Sequence, residues 1–158
     1  MSEALRFTVL KEYMQKNKIK LNLDNRKSIE YYNRQVADGK VTLSRLIIGL
    51  YYLSRLAGLG LILGLFFIVF IDPWLYGLLI CLTSVYVRFR AWKYLKTQAL
   101  QYTHQQALTS EENFKKLYQN NTFTLKNNET GKTVRHPEKW VMVLPKKLEV
   151  QSELASVE

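Results

Sequence analysis

Apolar and polar positions divide the chain into a long apolar centre and two polar flanks. Leu56 to Ile71 reads LAGLGLILGLFFIVFI, sixteen residues without a polar side chain. Pro73 to Val87 reads PWLYGLLICLTSVYV, fifteen residues without a charge. Asp72 is the single charge between Leu56 and Val87. The Asp72-Pro73 step favours a turn, because the residue before a proline is pushed out of the helical region. An unbroken helix over all 32 residues would be too long for a bilayer without extreme tilt. The pattern therefore predicts a helical hairpin reversing at Asp72 and Pro73.

Sixteen helical residues rise about 24 Å, short of a hydrocarbon core about 30 Å thick. The flanking aromatics extend each span. Tyr51 and Tyr52 lie some twenty residues before Asp72, Trp92 and Tyr94 some twenty after it, and Trp74 and Tyr76 beside the turn. Tyr and Trp collect at membrane interfaces, so these groups mark two belts one crossing apart. Arg55 and Arg88 then fall just inside the near belt, where their long stems can snorkel outward. A re-entrant hairpin with Asp72 at mid-bilayer is the costlier alternative, because an unpaired acid there is expensive. A soluble core hairpin would need more surrounding chain than is present to wrap both helices. The first apolar run begins too far from Met1 for a cleavable signal peptide, so the first span would itself direct insertion.

Small residues within the spans recur at helical spacing. Gly60 and Gly64 form a GxxxG pair with Ala57 one turn earlier, and Gly77, Cys81 and Ser84 follow at intervals of four and three. Their depths match: Gly64 lies eight residues before Asp72 and Cys81 nine after, while Gly60 and Ser84 each lie twelve away. Small side chains let helix backbones approach closely in lipid, so the spans are expected to pack on each other through these faces. Cys81 reads as a packing residue, with no base near it to activate a thiolate.

The flanks carry their own patterns. Residues 2–16 suit a helix with Phe7, Leu10 and Met14 on one face, and Lys18 to Leu23 alternates as a short strand or extended link would. Asp24 is placed to cap a second helix to about Asp38, striped by Ile29, Tyr32 and Val36, with Gly39 as its stop. Beyond the second span, Trp92, Leu95, Ala99 and Tyr102 continue the helical period, predicting an extension to about Leu108. Thr109-Ser110-Glu111-Glu112 opens a further helix that Asn120-Asn121 ends. Phe123 to Lys126 and Thr133 to Arg135 flank a turn-rich NNETGK, a hairpin signal, and Trp140 to Leu144 reads as a third strand.

Charge orients this arrangement. Residues 1–45 carry ten Lys/Arg against five acids, and residues 88–158 twelve against seven. The turn carries no base, so both termini are expected on the cytoplasmic side. Arg88, Arg90, Lys93 and Lys96 crowd the exit of the second span, where each base near the surface contributes about 1 kcal/mol of attraction to anionic lipid. Juxtamembrane bases thereby contribute to the net charge of +10, and no nucleic-acid-binding signature accompanies it. A Lys- and Asn-rich composition is compatible with a bacterial inner membrane.

Candidate chemistry is sparse. Thr130-Gly131-Lys132-Thr133 resembles the end of a phosphate-binding loop, but the earlier glycine of that pattern is Lys126 here, and the segment reads as a hairpin turn. His104 and His136 lie 32 residues apart with no cysteine near them, too few ligands for zinc. Glu111 and Glu112 suit the first turn of a helix without any catalytic role. No nucleophile–base pair can be assembled, and no chain of intramembrane acids marks an ion path.

The length suits one domain, organised as cytoplasmic N-terminal helices over 1–45, a transmembrane hairpin over 46–92, a helix with a small β hairpin over 93–147 and a mobile tail over 148–158. The expected fold class is a mainly α membrane protein, a two-span hairpin with a long cytoplasmic extension of the second span and a small C-terminal β element. The expected function is non-catalytic: an accessory or scaffold subunit of a larger membrane complex, partnered by other membrane subunits or by itself. The alternative is a lipid-binding regulator or membrane-shaping hairpin. Helix packing is assigned to Gly60, Gly64, Gly77, Cys81 and Ser84. The lipid interface is assigned to Arg55, Arg88, Arg90, Lys93, Lys96, Trp74 and Trp92. No cofactor, metal or small-molecule substrate is expected.

Overall fold

The computed structural model describes residues 3–42, 45–70 and 74–144. It is mostly helical with one small sheet. In chain order the elements are α1 (Glu3–Gln15), β1 (Ile19–Leu23), α2 (Asn25–Ala37), α3 (Arg45–Phe70), α4 (Leu75–Thr109), α5 (Glu111–Gln119), β2 (Phe123–Asn127) and β3 (Thr133–Val134). A single 3₁₀ turn, Trp140–Val143, follows. The expected reversal at Asp72 and Pro73 and the tail over 148–158 lie outside the described residues.

Local chemistry accounts for most boundaries. α1 ends where Asn17 takes a left-handed conformation (φ 56°) and the Lys18 amide donates to the Tyr13 carbonyl. Asp24 starts α2, accepting from the Lys27 amide at 3.0 Å. Gly39 stops it in a left-handed conformation (φ 68°), as its amide donates to Val36 and that of Lys40 to Gln35. Ser110 caps α5 by accepting from the Asn113 amide at 3.2 Å. Glu111 and Glu112 in its first turn pair with Lys115 and Lys116 one turn on.

Two compact units result, Met1–Tyr32 with Leu100–Glu158 and Asn33–Ala99. The first is built on an antiparallel sheet of order β1-β2-β3, with Leu21 opposite Leu125 and Leu125 opposite Val134. β1 thus ties the N-terminal region to the C-terminal one. Phe114 of α5 centres the core of this unit, its ring 5.3 Å from Phe7, 5.0 Å from Phe123 and 5.5 Å from Trp140. Leu10, Ile19, Leu117, Leu125, Val134 and Val143 complete it, all essentially inaccessible.

The segment Trp140 to Leu144, expected as a third strand, is instead the 3₁₀ turn; the third strand is β1. Trp140 and Val143 are both buried, and residues three apart share a face in such a turn. On a strand they would point to opposite faces. With β1 on one side of β2 and β3 on the other, this segment packs its side chains and leaves its backbone out of the ladder.

Candidate membrane interface

The second unit contains α3 and the part of α4 up to Ala99. Among the described residues, α3 alone is long and apolar enough to cross a membrane, over the 24 residues Ile47–Phe70, and almost none of that stretch is buried within the protein. The apolar stretch of α4 is shorter, ending where Arg88 and Arg90 enter the helix.

The two helices run antiparallel through a seam of small residues. A side chain on Gly60 would collide with Ser84 Oγ. At Gly64 a β-carbon would stand 2.5 Å from Cys81 Sγ and 2.9 Å from the Gly77 carbonyl. At Gly77 it would stand 2.6 Å from the Gly64 carbonyl and 2.6 Å from the Ile68 amide nitrogen. All five residues assigned to helix packing therefore lie in one seam. Ala91 belongs to the same buried series, seven residues beyond Ser84 as Ser84 is seven beyond Gly77. Sequence reading passed over Ala91, although that heptad spacing was its available signal. The Thr83 hydroxyl donates to the Leu79 carbonyl at 2.8 Å, so it is satisfied within its own helix.

Large apolar side chains face away from this seam. Leu59, Ile62, Phe66, Val69, Leu79 and Leu82 are each more than half exposed, and Phe70 reaches 70%. In water such a continuous surface would be strongly unfavourable, at about 25 cal/mol for each Å² left wet.

Basic and aromatic side chains pair at the other end of the seam. The Arg55 guanidinium donates to the Tyr51 hydroxyl at 2.7 Å and lies 5.2 Å from the ring centre. Arg90 lies 5.8 Å from the Tyr86 ring and Lys96 5.3 Å from the Trp92 ring. In all three pairs the base follows its aromatic by four residues, one helical turn. Arg88 reaches from α4 onto α3, where a β-carbon at Gly58 would meet its guanidinium at 3.5 Å. Lys93 and Trp92 are exposed, as is Trp74 at the opposite end of the helix pair. Asp72 and Pro73 fall outside the described residues.

The remaining motifs have structural employment. Asn127, buried at 3% exposure, accepts from the amides of Glu129 and Thr130 and donates to the Val143 carbonyl. Gly131 is left-handed in the same turn (φ 72°), so Thr130 to Lys132 belong to a hairpin connection and Thr133 opens β3. The His136 ring stands edge-on to Tyr118 at 6.2 Å. Tyr118 donates to the Glu138 carbonyl, and burial, reinforced by the Glu138 charge, pushes its hydroxyl up to about 12. Tyr31 and Tyr102 stack at 6.3 Å, and burial raises both hydroxyls above their ordinary value. Among the described residues no three His, Cys, Asp or Glu side chains converge as a metal site would require. Comparison with known families, with characterised proteins and with solved structures returned no match to this chain.

Proposed function

We propose that α3 and α4 form a two-span membrane hairpin with both termini cytoplasmic. On this reading the protein is a non-catalytic accessory or scaffold subunit of a larger membrane complex. One observation carries the reading: the pair buries its small residues between the helices and turns its large apolar side chains outward. That is the inverse of a water-soluble pair, and it requires lipid or other apolar helices as surroundings. From Leu75 to Trp92 α4 spans eighteen residues, about 27 Å at ~1.5 Å each, which suffices when Arg88 and Arg90 snorkel to the boundary.

Gentle solubilisation of an affinity-tagged copy from its native membrane, followed by native mass analysis, tests the reading. A stoichiometric set of other membrane proteins is the expected result. A lone, monomeric chain in mild detergent would overturn the subunit assignment. The second reading, a lipid-facing regulator, is favoured by the three cation–ring pairs at the basic end. It predicts vesicle binding that depends on anionic lipid and weakens with salt.

A further inference from the structure

A groove of about 650 Å³ lies between α3 and α4 at their basic end. Leu50 and Leu53 line it from α3, and Tyr86, Val87, Arg90 and Lys93 from α4. Its size falls within the range of small-molecule sites, and its lining grades from apolar residues to two cations. The Arg90 guanidinium lies against the Tyr86 ring, which orients its planar fork. Thr97 at the same groove donates to the Lys93 carbonyl, so its hydroxyl is occupied.

We propose that this groove holds one anionic phospholipid, an acyl chain along Leu50, Leu53 and Val87 and the phosphate between Arg90 and Lys93. The inference rests on the hairpin reading above and makes its lipid contact specific. Charge complementarity selects the occupant: residues 39–110 contain seven Lys/Arg and a single acid, Asp72. The phosphate of any phospholipid can accept charge-assisted hydrogen bonds from both bases, but a zwitterionic lipid brings its own cation beside that phosphate and leaves the excess uncompensated, whereas a lipid of net negative charge offsets it. Arg90 and Lys93 stand three and six residues beyond the apolar stretch that ends at Val87, which on the hairpin reading is headgroup depth.

Native mass spectrometry of the delipidated full-length protein tests the site, with phosphatidylglycerol and phosphatidylcholine of identical acyl chains added in turn. One retained phosphatidylglycerol per chain is expected. Arg90→Gln with Lys93→Gln weakens its retention about tenfold or more. Lys40→Gln with Arg45→Gln, at exposed positions outside the groove, removes the same charge and changes it less than about threefold. Leu53→Trp fills the groove at unchanged charge and also displaces the lipid; Leu53 is 45% exposed, so the helix tolerates the ring, as circular dichroism can verify. Equal losses in the two charge variants, equal retention of both lipids, or undiminished binding in Leu53→Trp overturns the groove. Alkaline carbonate extraction of the unaltered protein separates this from failure of the hairpin reading. Release without detergent sinks the membrane assignment, whereas retention confines any failure to the groove.

Discussion

Gly64 and Gly77 face each other so closely that neither position has room for a side chain. A β-carbon on Gly77 would lie 2.6 Å from the Gly64 carbonyl oxygen, and one on Gly64 2.9 Å from the Gly77 carbonyl oxygen. At Gly77 the nearest obstacles are backbone, which cannot swing aside as a flexible side chain would, and at Gly64 the Cys81 side chain adds to the backbone contact. The contact therefore fixes the spacing of α3 and α4.

Gly77→Ala should loosen the helix pair by about 1–3 kcal/mol, the usual cost of overpacking. Gly49→Ala, in open space on α3, should be neutral or stabilising by up to about 1 kcal/mol from helix propensity. Thermal unfolding of both variants in one mild detergent compares them. Equal melting temperatures would remove the claim that this contact sets the packing.

Asn127 should matter far more than its polar character suggests. Asn127→Ala leaves the Glu129 and Thr130 amides and the Val143 carbonyl without their partner. A loss of about 1–3 kcal/mol is expected. Backbone hydrogen exchange at residues 128–134 should rise first, because the turn and the 3₁₀ segment are held by the same side chain. Unchanged exchange there would show that the turn closes without it.

The Tyr118 hydroxyl, pushed up to about 12 in the fold, ionises near 10 in an unfolded chain. Between these values the unfolded state binds fewer protons than the folded one, so stability must fall as pH rises. Below about pH 10 the contribution is fully present. Tyr118→Phe should abolish that part of the alkaline loss, while costing about 0.5–1.5 kcal/mol at neutral pH from the missing bond to Glu138. Tyrosinate absorbance during an alkaline titration should lose its latest component in this variant. Persistence of that component would assign it to another tyrosine.

Membrane topology can be read with single cysteines in a Cys81→Ala background. Lys40→Cys and Lys132→Cys, both at exposed positions, should react with an impermeant maleimide from the cytoplasmic side only. Trp74→Cys, 52% exposed at the far end of the helix pair, should react from the opposite side. Labelling of all three from one side would leave a hairpin that enters and exits the same face.

Much of the local structure was legible because its causes are local. Ser110 caps α5, Asp24 opens α2 and Gly39 closes it through hydrogen bonds to neighbours within a few residues. The seam was legible for a related reason: in a tight antiparallel pair, residues at equal distance from the reversal lie at equal depth, so Gly60 pointed to Ser84 and Gly64 to Cys81. Trp140 to Leu144 misled because β-branched and aromatic residues fit a strand and a packed 3₁₀ turn equally well. Only the absence of a free sheet edge beside β2 separates the two.

The amino-acid order by itself determined where helices begin and end, which runs are apolar, where the bases cluster and which small residues can let two helices touch. These follow from periodicity, capping and turn chemistry, all of which act over a few residues. Tertiary structure alone decided that Leu21 pairs with Leu125, that Asn127 is buried and holds three backbone groups, and that Arg88 rests over Gly58. It also decided that Leu50, Leu53, Arg90 and Lys93 line one groove. Each of these joins positions far apart in the chain, and which distant faces meet depends on shape and hydrogen-bond complementarity across the whole fold.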